Sequence, residues 1–252
     1  MRLTVLASGS NGNGYLLEAR NSALLIECGV RPETMMRRTA VPISRIAGAL
    51  VSHEHTDHAG CARKYANLGL RIYASEGTIK EMKMRWNVPE YQASVLRSME
   101  VRYIGKWKVM PFDVRHDAAE PLGFIIEHPE CGRILFLTDT VFCPYDFRNL
   151  GLDHIMVEAN YDDRILDSNV ANGSIDAARA DRTRRKHMSI RSACELIKAN
   201  QTAELKNVIL IHLSRQNADA AEFARKAAES ALFARVCVAR AGLSIDLNKY
   251  EI

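Results

Sequence analysis

The chain alternates between short apolar runs and polar turns along its whole length. The runs are rich in Val, Ile and Leu, and most of them end at Gly, Asn, Asp or His. Runs of this length predict buried or half-buried strands, because a strand needs few residues and the punctuating residues favour turns. The predicted strands cover residues 2–7, 14–19, 23–27, 47–52, 71–73, 99–104, 107–114, 122–127, 133–138, 153–158, 207–211, 234–239 and 243–247.

Longer segments with helical periodicity separate some of these strands. They predict helices over residues 57–68, 76–86, 189–200 and 218–231, with Ser189 as the N-cap of the third. The acidic run from Asp162 to Asp167 is predicted as a surface loop without chemistry. Two strand-rich halves that each carry helices predict an α+β fold, a four-layered αββα sandwich.

One polar stretch stands out directly after the apolar run 46–51. It reads His53-Glu-His55-Thr-Asp57-His58, which brings three histidines and an aspartate within six residues. Side chains two apart in an extended segment point the same way, so His53 and His55 share a face, and Asp57 and His58 follow at a turn into a helix. Imidazole and carboxylate together are ligands for zinc, manganese or iron. The stretch therefore predicts a reactive metal centre and not a solvated loop.

Three later segments offer further ligands at predicted strand ends. His116-Asp117 follows strand 107–114, Asp139 follows strand 133–138, and His212 follows strand 207–211. Loops at strand ends build active sites, and an aspartate can bridge two cations. Two metals at about 3.5–4 Å from each other can hold a shared hydroxide nucleophile.

These residues carry a resemblance to a known family. The segments that match it include Leu6-Ala-Ser-Gly-Ser-Asn-Gly-Asn13, Leu25-Ile-Glu-Cys-Gly29, Ser52-His-Glu-His-Thr-Asp-His-Ala-Gly60, His116-Asp-Ala-Ala-Glu-Pro121, Leu137-Thr-Asp-Thr140 and Ile211-His-Leu-Ser214. The chain resembles hydrolases of the metallo-β-lactamase fold, and among them the WalJ/YycJ-like branch of metal-dependent nucleases. The resemblance implies one domain over residues 1–252 and two divalent metal ions, zinc or manganese.

The resemblance also implies roles for individual residues. One metal is expected on His53, His55 and His116, the second on Asp57, His58 and His212, with Asp139 as the bridge. Asp57 or Asp139 would accept the proton of the attacking water, and His187 would protonate the leaving oxygen or hold a phosphate oxygen. Glu27, where the family usually has Asp, would support the metal loop from outside the ligand set. The residues expected on the substrate are Ser8, Ser10, Asn13, Arg184, Arg185, Lys186 and Ser189.

Two family motifs are altered in this chain. The family's Glu-x-Asn-His-Asp motif reads Glu158-Ala-Asn-Tyr161-Asp162, and its Gly-His-x-Ser-Asn motif reads Lys186-His187-Met-Ser189-Ile190. No expected metal ligand is lost. The basic run 179–191, which leads into His187, predicts contacts to substrate phosphates, against the alternative of a solvated helix face.

The composition says more about the cellular location of the protein than about the reaction. The net charge of +4 and the charged content of 25% decide nothing about nucleic acid by themselves. The six cysteines are scattered without a Cys-x-x-Cys pair, the first residues lack a signal-peptide pattern, and no apolar run reaches the roughly 20 residues of a membrane span. A cytoplasmic protein without membrane attachment is expected.

The favoured function is a two-metal phosphodiesterase, a nuclease that acts on nucleic acid or nucleotides. A cyclic-nucleotide phosphodiesterase is the first alternative, with a closed pocket completed by a homodimer, and a hydrolase of small esters or thioesters is the second. A metal-stabilised binding protein is the alternative outside enzymes. The ligands alone do not separate the hydrolases, because one fold hosts many substrates.

Overall fold

The computed structural model describes residues 1–249. They fall into two compact units, each assembled from separate stretches of chain. The first unit comprises 1–113, 118–132 and the described residues from Arg240 onward, and the second comprises 114–117 and 133–239. The prediction of a single domain over 1–252 stays a prediction.

The first unit contains a seven-stranded sheet with the order β14-β1-β2-β3-β4-β5-β6. Its strands, numbered in chain order, are β1 (Arg2–Ala7), β2 (Gly14–Glu18), β3 (Ala23–Ile26), β4 (Ile46–Leu50), β5 (Ile72–Ala74), β6 (Ala93–Val95) and β14 (Ser244–Asp246). The pairs from β14 to β3 are antiparallel, and those from β3 to β6 are parallel. Strands β2, β3 and β4 are almost wholly buried, which explains their continuous apolar sequence.

Four helices and a second group of strands complete the first unit. The helices are α1 (Pro32–Thr39), α2 (Thr56–Ala59), α3 (Ala62–Asn67) and α4 (Glu76–Trp86). The strands β7 (Arg102–Ile104), β8 (Trp107–Asp113) and β9 (Leu122–His128) pair antiparallel in sequence order. The core of the sheet and its helices includes Leu25, Met35, Val51, Tyr65 and Met82.

The second unit is built on parallel strands. They are β10 (Gly132–Leu137), β11 (His154–Glu158), β12 (Asn207–Ile211) and β13 (Arg235–Val238). Its helices are α5 (Asp163–Ala171), α6 (Ala177–Lys186), α7 (Ile190–Ala199) and α8 (Ala220–Ala231). Parallel pairing brings the carboxyl ends of β10, β11 and β12 to one edge of this unit.

The predicted helix over 57–68 is wrong in one respect, because it is broken into α2 and α3. The carbonyls of Asp57 and His58 accept hydrogen bonds from Asn13 N (2.7 Å) and Cys28 N (2.7 Å). Those carbonyls are therefore not available to the next helical turn, and Cys61 N donates to Cys28 O instead (2.8 Å). A Cβ at Gly29 would lie 1.7 Å from Asp57 O, so the close approach of these segments requires glycine.

The predicted surface loop over 162–167 is also wrong. Asp162 is the N-cap of α5, with its side chain accepting from Arg164 N, and it is 4% exposed. Helices α1 and α6 and strand β6 were not predicted either. Among the described residues, no helix is long and apolar enough to cross a membrane.

Candidate metal centre

The histidine motif of the first unit follows the end of β4. This strand lies between β3 and β5, and its apolar residues are buried on both faces. The chain leaves the sheet at Val51 and Ser52, and α2 begins at Thr56. Burial of the strand thus fixes the position of the motif, and His53 and His58 are 1% and 0% exposed.

The donor atoms of the motif lie close together within this unit. His53 Nε2 is 3.1 Å from His55 Nδ1, and the ring centroids of His53 and His58 are 4.2 Å apart. His58 Nε2 lies 3.3 Å from Asp57 Oδ2. Two facing imidazole nitrogens and a neighbouring carboxylate are donors of the type that zinc or manganese accepts.

Two further side chains hold the motif from behind. Asn13 Nδ2 lies 3.1 Å from His58 Nε2 and 3.3 Å from Asp57 Oδ2. Glu27 Oε1 lies 3.5 Å from His58 Nδ1, and the carboxylate is buried. A carboxylate on the second ring nitrogen orients a metal-binding imidazole and raises its basicity.

The two serines of the first glycine-rich turn differ in their surroundings. The hydroxyl of Ser8 shares a hydrogen bond with the Tyr15 hydroxyl (2.8 Å), and Ser10 is exposed. Asn13, from the same predicted substrate loop, reaches the histidine motif. The structure gives Asn13 a supporting position that the sequence did not suggest.

A second cluster lies within the second unit, where β10, β11 and β12 end. Asp139 follows β10, Glu158 ends β11 and His212 follows β12. His212 Nδ1 lies 3.1 Å from Glu158 Oε1 and 3.6 Å from Asp139 Oδ1. His187, the C-cap of α6, places Nδ1 2.7 Å from Glu158 Oε1. Donor atoms of these four residues all lie within 4.8 Å of one another.

His116 joins this cluster from the segment 114–117. Its Nε2 lies 3.5 Å from Asp139 Oδ2, and its Nδ1 lies 3.1 Å from the carbonyl oxygen of Lys186. A ring N–H that donates to this carbonyl leaves the Nε2 lone pair directed toward Asp139. Such a backbone contact is the usual way in which a protein fixes the tautomer of a metal ligand.

Glu158 contacts the predicted site residues, although the sequence did not lead us to predict a role for it there. It is fully buried, and its second oxygen accepts from Thr140 N (3.2 Å) and Met188 N (3.1 Å). The sequence feature that could have revealed it is a carboxylate directly after the buried apolar residues Ile155-Met-Val157. Burial alone would raise the pKa of Glu158, but the imidazoles of His187 and His212 outweigh burial and lower it.

The same contact acts on His187. Burial would lower the pKa of its imidazole, whereas the charge and the hydrogen bond of Glu158 raise it, and the net direction is upward. Glu158 therefore favours a protonated His187. A protonated imidazole is the form that a proton donor requires.

The backbone is strained at three of these positions. Glu27, Asp139 and His212 have positive φ angles of 66°, 45° and 56°, each within two residues of the end of a strand. A non-glycine residue in this region costs of order 1–3 kcal/mol, and such residues concentrate at functional sites.

The predicted basic segment is helical in part, and the cations directly before His187 are paired with carboxylates. Arg184 pairs with Asp163 and Asp167 of α5, Arg185 with Asp181, and Lys186 with Asp117. Ser189 is the N-cap of α7, as predicted, with its hydroxyl accepting from Ser192 N. The net positive charge of the segment is thus largely balanced in place.

Comparison with known proteins agrees with this chemistry. The β-lactamase superfamily domain matches residues 23–213. The exodeoxyribonuclease YycJ of Bacillus anthracis is 30% identical, over 86% of this chain and 84% of that protein. The exodeoxyribonuclease WalJ of Streptococcus pneumoniae is 27% identical, over 99% and 93%.

Solved structures give the fold. The metallo-β-lactamase-fold protein YhfI from Bacillus subtilis superposes with a TM-score of 0.72 at 16% identity, over 97% of this chain and 98% of that one. At this identity the likeness speaks for the fold alone. It confirms the predicted α+β class, an αββα sandwich of the metallo-β-lactamase type.

Proposed function

The chain belongs to the β-lactamase superfamily, in its YycJ/WalJ-like branch, and is a metal-dependent hydrolase; from this premise we propose that it is a two-metal nuclease that cuts DNA. The exodeoxyribonuclease names of two relatives support DNA as the substrate. The observation that carries the proposal is the cluster of Asp139, Glu158, His187 and His212, whose donor atoms all lie within 4.8 Å of one another; we assign metal ligands and the proton donor among its members.

The donor chemistry fits divalent metals. We propose zinc or manganese as the native ions, held by donors that are neutral imidazoles or carboxylates. The proposed ligands are His53, His55, Asp57, His58, His116, Asp139 and His212. The ions, when bound, would supply Lewis acidity that favours deprotonated water and offsets the charge on a reacting phosphate.

The side chains of the chain itself would handle the protons. Asp57 or Asp139 would accept the proton of the attacking water, since both are carboxylates beside imidazoles of the two clusters. His187 would deliver a proton to the leaving oxygen, because Glu158 at 2.7 Å favours its protonated form. Glu158 would thus act through His187 as a positioning residue.

The experiment combines metal analysis with a cleavage panel. Asn at position 139 preserves the shape and tolerates a positive φ, whereas Ala would add backbone strain. We expect D139N to lose bound metal and turnover while its circular dichroism spectrum is retained. A matched control is D153N, which alters another buried aspartate of the second unit whose side chain accepts from Arg133 N.

The panel holds single- and double-stranded DNA, RNA and cyclic mononucleotides. Cleavage of DNA that depends on added zinc or manganese, and that is lost in D139N but kept in D153N, supports the proposal. A protein that hydrolyses cyclic mononucleotides far better than polymers would instead be a cyclic-nucleotide phosphodiesterase. Unchanged turnover in D139N would contradict the ligand assignment.

A further inference from the structure

An exposed aromatic side chain lies beside the cluster of the second unit. Phe142 is 43% exposed and comes three residues after Asp139. The guanidinium carbon of Arg115, the residue before His116, lies 5.5 Å from the centre of the Phe142 ring. Isolated exposed phenylalanines are common on protein surfaces, so exposure alone indicates nothing. The neighbours of this one are what distinguish it.

The loop that carries Phe142 is fixed by hydrogen bonds to buried groups. Thr140 is fully buried, and its hydroxyl donates to Phe142 O (3.0 Å) and accepts from Arg115 N (3.3 Å). Thr140 N donates to Glu158. One threonine thus ties the Phe142 and Arg115 segments to each other and to the buried carboxylate. The backbone positions from which the ring and the guanidinium extend are therefore fixed relative to each other.

Arg115 differs from the last three residues of α6. Arg184, Arg185 and Lys186 are each paired with an aspartate, whereas Arg115 pairs with no carboxylate within residues 1–249. Its charge is therefore available to a ligand. A planar cation over an aromatic ring, with part of the ring open to solvent, is the arrangement on which nucleobases stack.

We propose that Arg115 and Phe142 form a stacking platform for a base of the DNA strand at the active site. This inference rests on the proposed function and assigns a substrate contact to residues outside the expected set. Three residues of chain span at most about 11 Å, so the backbone of Phe142 lies within that distance of the Asp139 backbone, and its side chain reaches roughly 5 Å further. Successive nucleotides of a stacked strand are about 3.4 Å apart. The stacked base therefore belongs to one of about five nucleotides next to the cleaved bond.

The test removes the ring and the base separately. Stacking of a base on an aromatic side chain is worth ~1–3 kcal/mol, which at about 1.4 kcal/mol per factor of ten corresponds to about 5- to 150-fold in affinity. We expect F142A to weaken binding of a single-stranded oligonucleotide by a factor in this range, measured by fluorescence anisotropy in EDTA. F142W should restore it. The matched control is F233A, which removes another exposed phenylalanine of the second unit, 89% exposed, and should change nothing.

Oligonucleotides with an abasic site at each of about five terminal positions complete the cycle. At one position, loss of the base should weaken wild-type binding and abolish the difference between wild type and F142A. Equal losses for F142A on intact and abasic strands would overturn the platform, as would unaltered binding or an effect on oligomeric state alone. Because binding is measured without metal, the result is separate from cleavage. A base-dependent loss in a protein that cuts no DNA would keep the platform and reject the nuclease.

Discussion

Asp162 provides a quantitative test of how α5 is held onto α8. Its carboxylate accepts from Arg164 N (2.8 Å) as the N-cap of α5, and it pairs with the side chains of Arg164 and Lys226. The side chain is 6% exposed. Burial would raise its pKa, but the hydrogen bonds from Lys226 and Arg164 outweigh burial and lower the pKa from 3.8 to about 2.

The shift can be converted into stability. A fall from 3.8 to about 2 is equivalent to about 2.4 kcal/mol at about 1.36 kcal/mol per pKa unit. The Arg164 side chain is 72% exposed, so solvent screening reduces the measurable part to about 1–2 kcal/mol. Because the folded-state pKa is the lower one, the stabilisation is fully present well above pH 4. It is lost as the pH falls from about 4 to about 2, and about half of it is gone by pH 3.

The substitution D162N isolates the charge, since asparagine is as good an N-cap as aspartate. We expect the variant to lose about 1–2 kcal/mol of unfolding free energy in urea at pH 7, and the difference from wild type to shrink toward pH 3. The matched control is D176N, at the N-cap of α6, where Asp176 accepts from Arg179 N (2.8 Å) and makes no ion pair within residues 1–249. A D162N variant as stable as D176N at pH 7, or a difference independent of pH, would refute the reasoning.

Two further predictions concern the proposed chemistry and substrate grip. H187A should lower kcat by about 10²–10⁴-fold, the usual scale for a lost proton donor, with metal content unchanged by mass spectrometry; metal loss in proportion to activity would make His187 a ligand. The double variant R185Q/K186Q should flatten the slope of log K against log salt for duplex DNA by up to about 1.8, since each phosphate contact contributes about 0.9. Arg184 is kept in that variant because it ties α6 to α5, and an unchanged slope would remove this helix from the DNA contact.

The ends of the strands were predictable from the sequence, because the burial of a strand and the point where it leaves the core both depend on the local sequence. The runs before His53, Asp139 and His212 are mostly apolar, and each of them is a largely buried strand of a parallel pair. A run of that kind must end where the chain leaves the core, and the first polar residue marks the place. The histidine motif and the later aspartate and histidine were therefore found without knowledge of the fold.

Helices α5 and α6 were missed because they bury very little. Within α5 only Leu166 is buried, and within α6 only Ala180. With one buried residue each, neither helix shows an apolar stripe that continues over several turns, so the pattern resembled a loop. Two features of the sequence could have revealed these helices. They are the N-cap residues Asp162 and Asp176, and the alanine and arginine content of α6.

The role of Glu158 was not predicted for a different reason. The same reason explains why acids and histidines are clustered in the second unit. Asp139 and Glu158 are buried acids, and the charge of Asp139 raises the pKa of Glu158 while the histidines lower it. Two carboxylates buried at one site repel each other. Burial and charge therefore do not lead to a prediction, from the sequence, that both lie there. With His116, His187 and His212 around them, the pair instead belongs to a group of donors of the kind that divalent cations bind. The strained φ angles at Asp139 and His212 have the same explanation, since they add a cost in conformational free energy at the same site. A chain that accepts buried like charges and strained turns at one edge of its sheet does so for chemistry and not for stability.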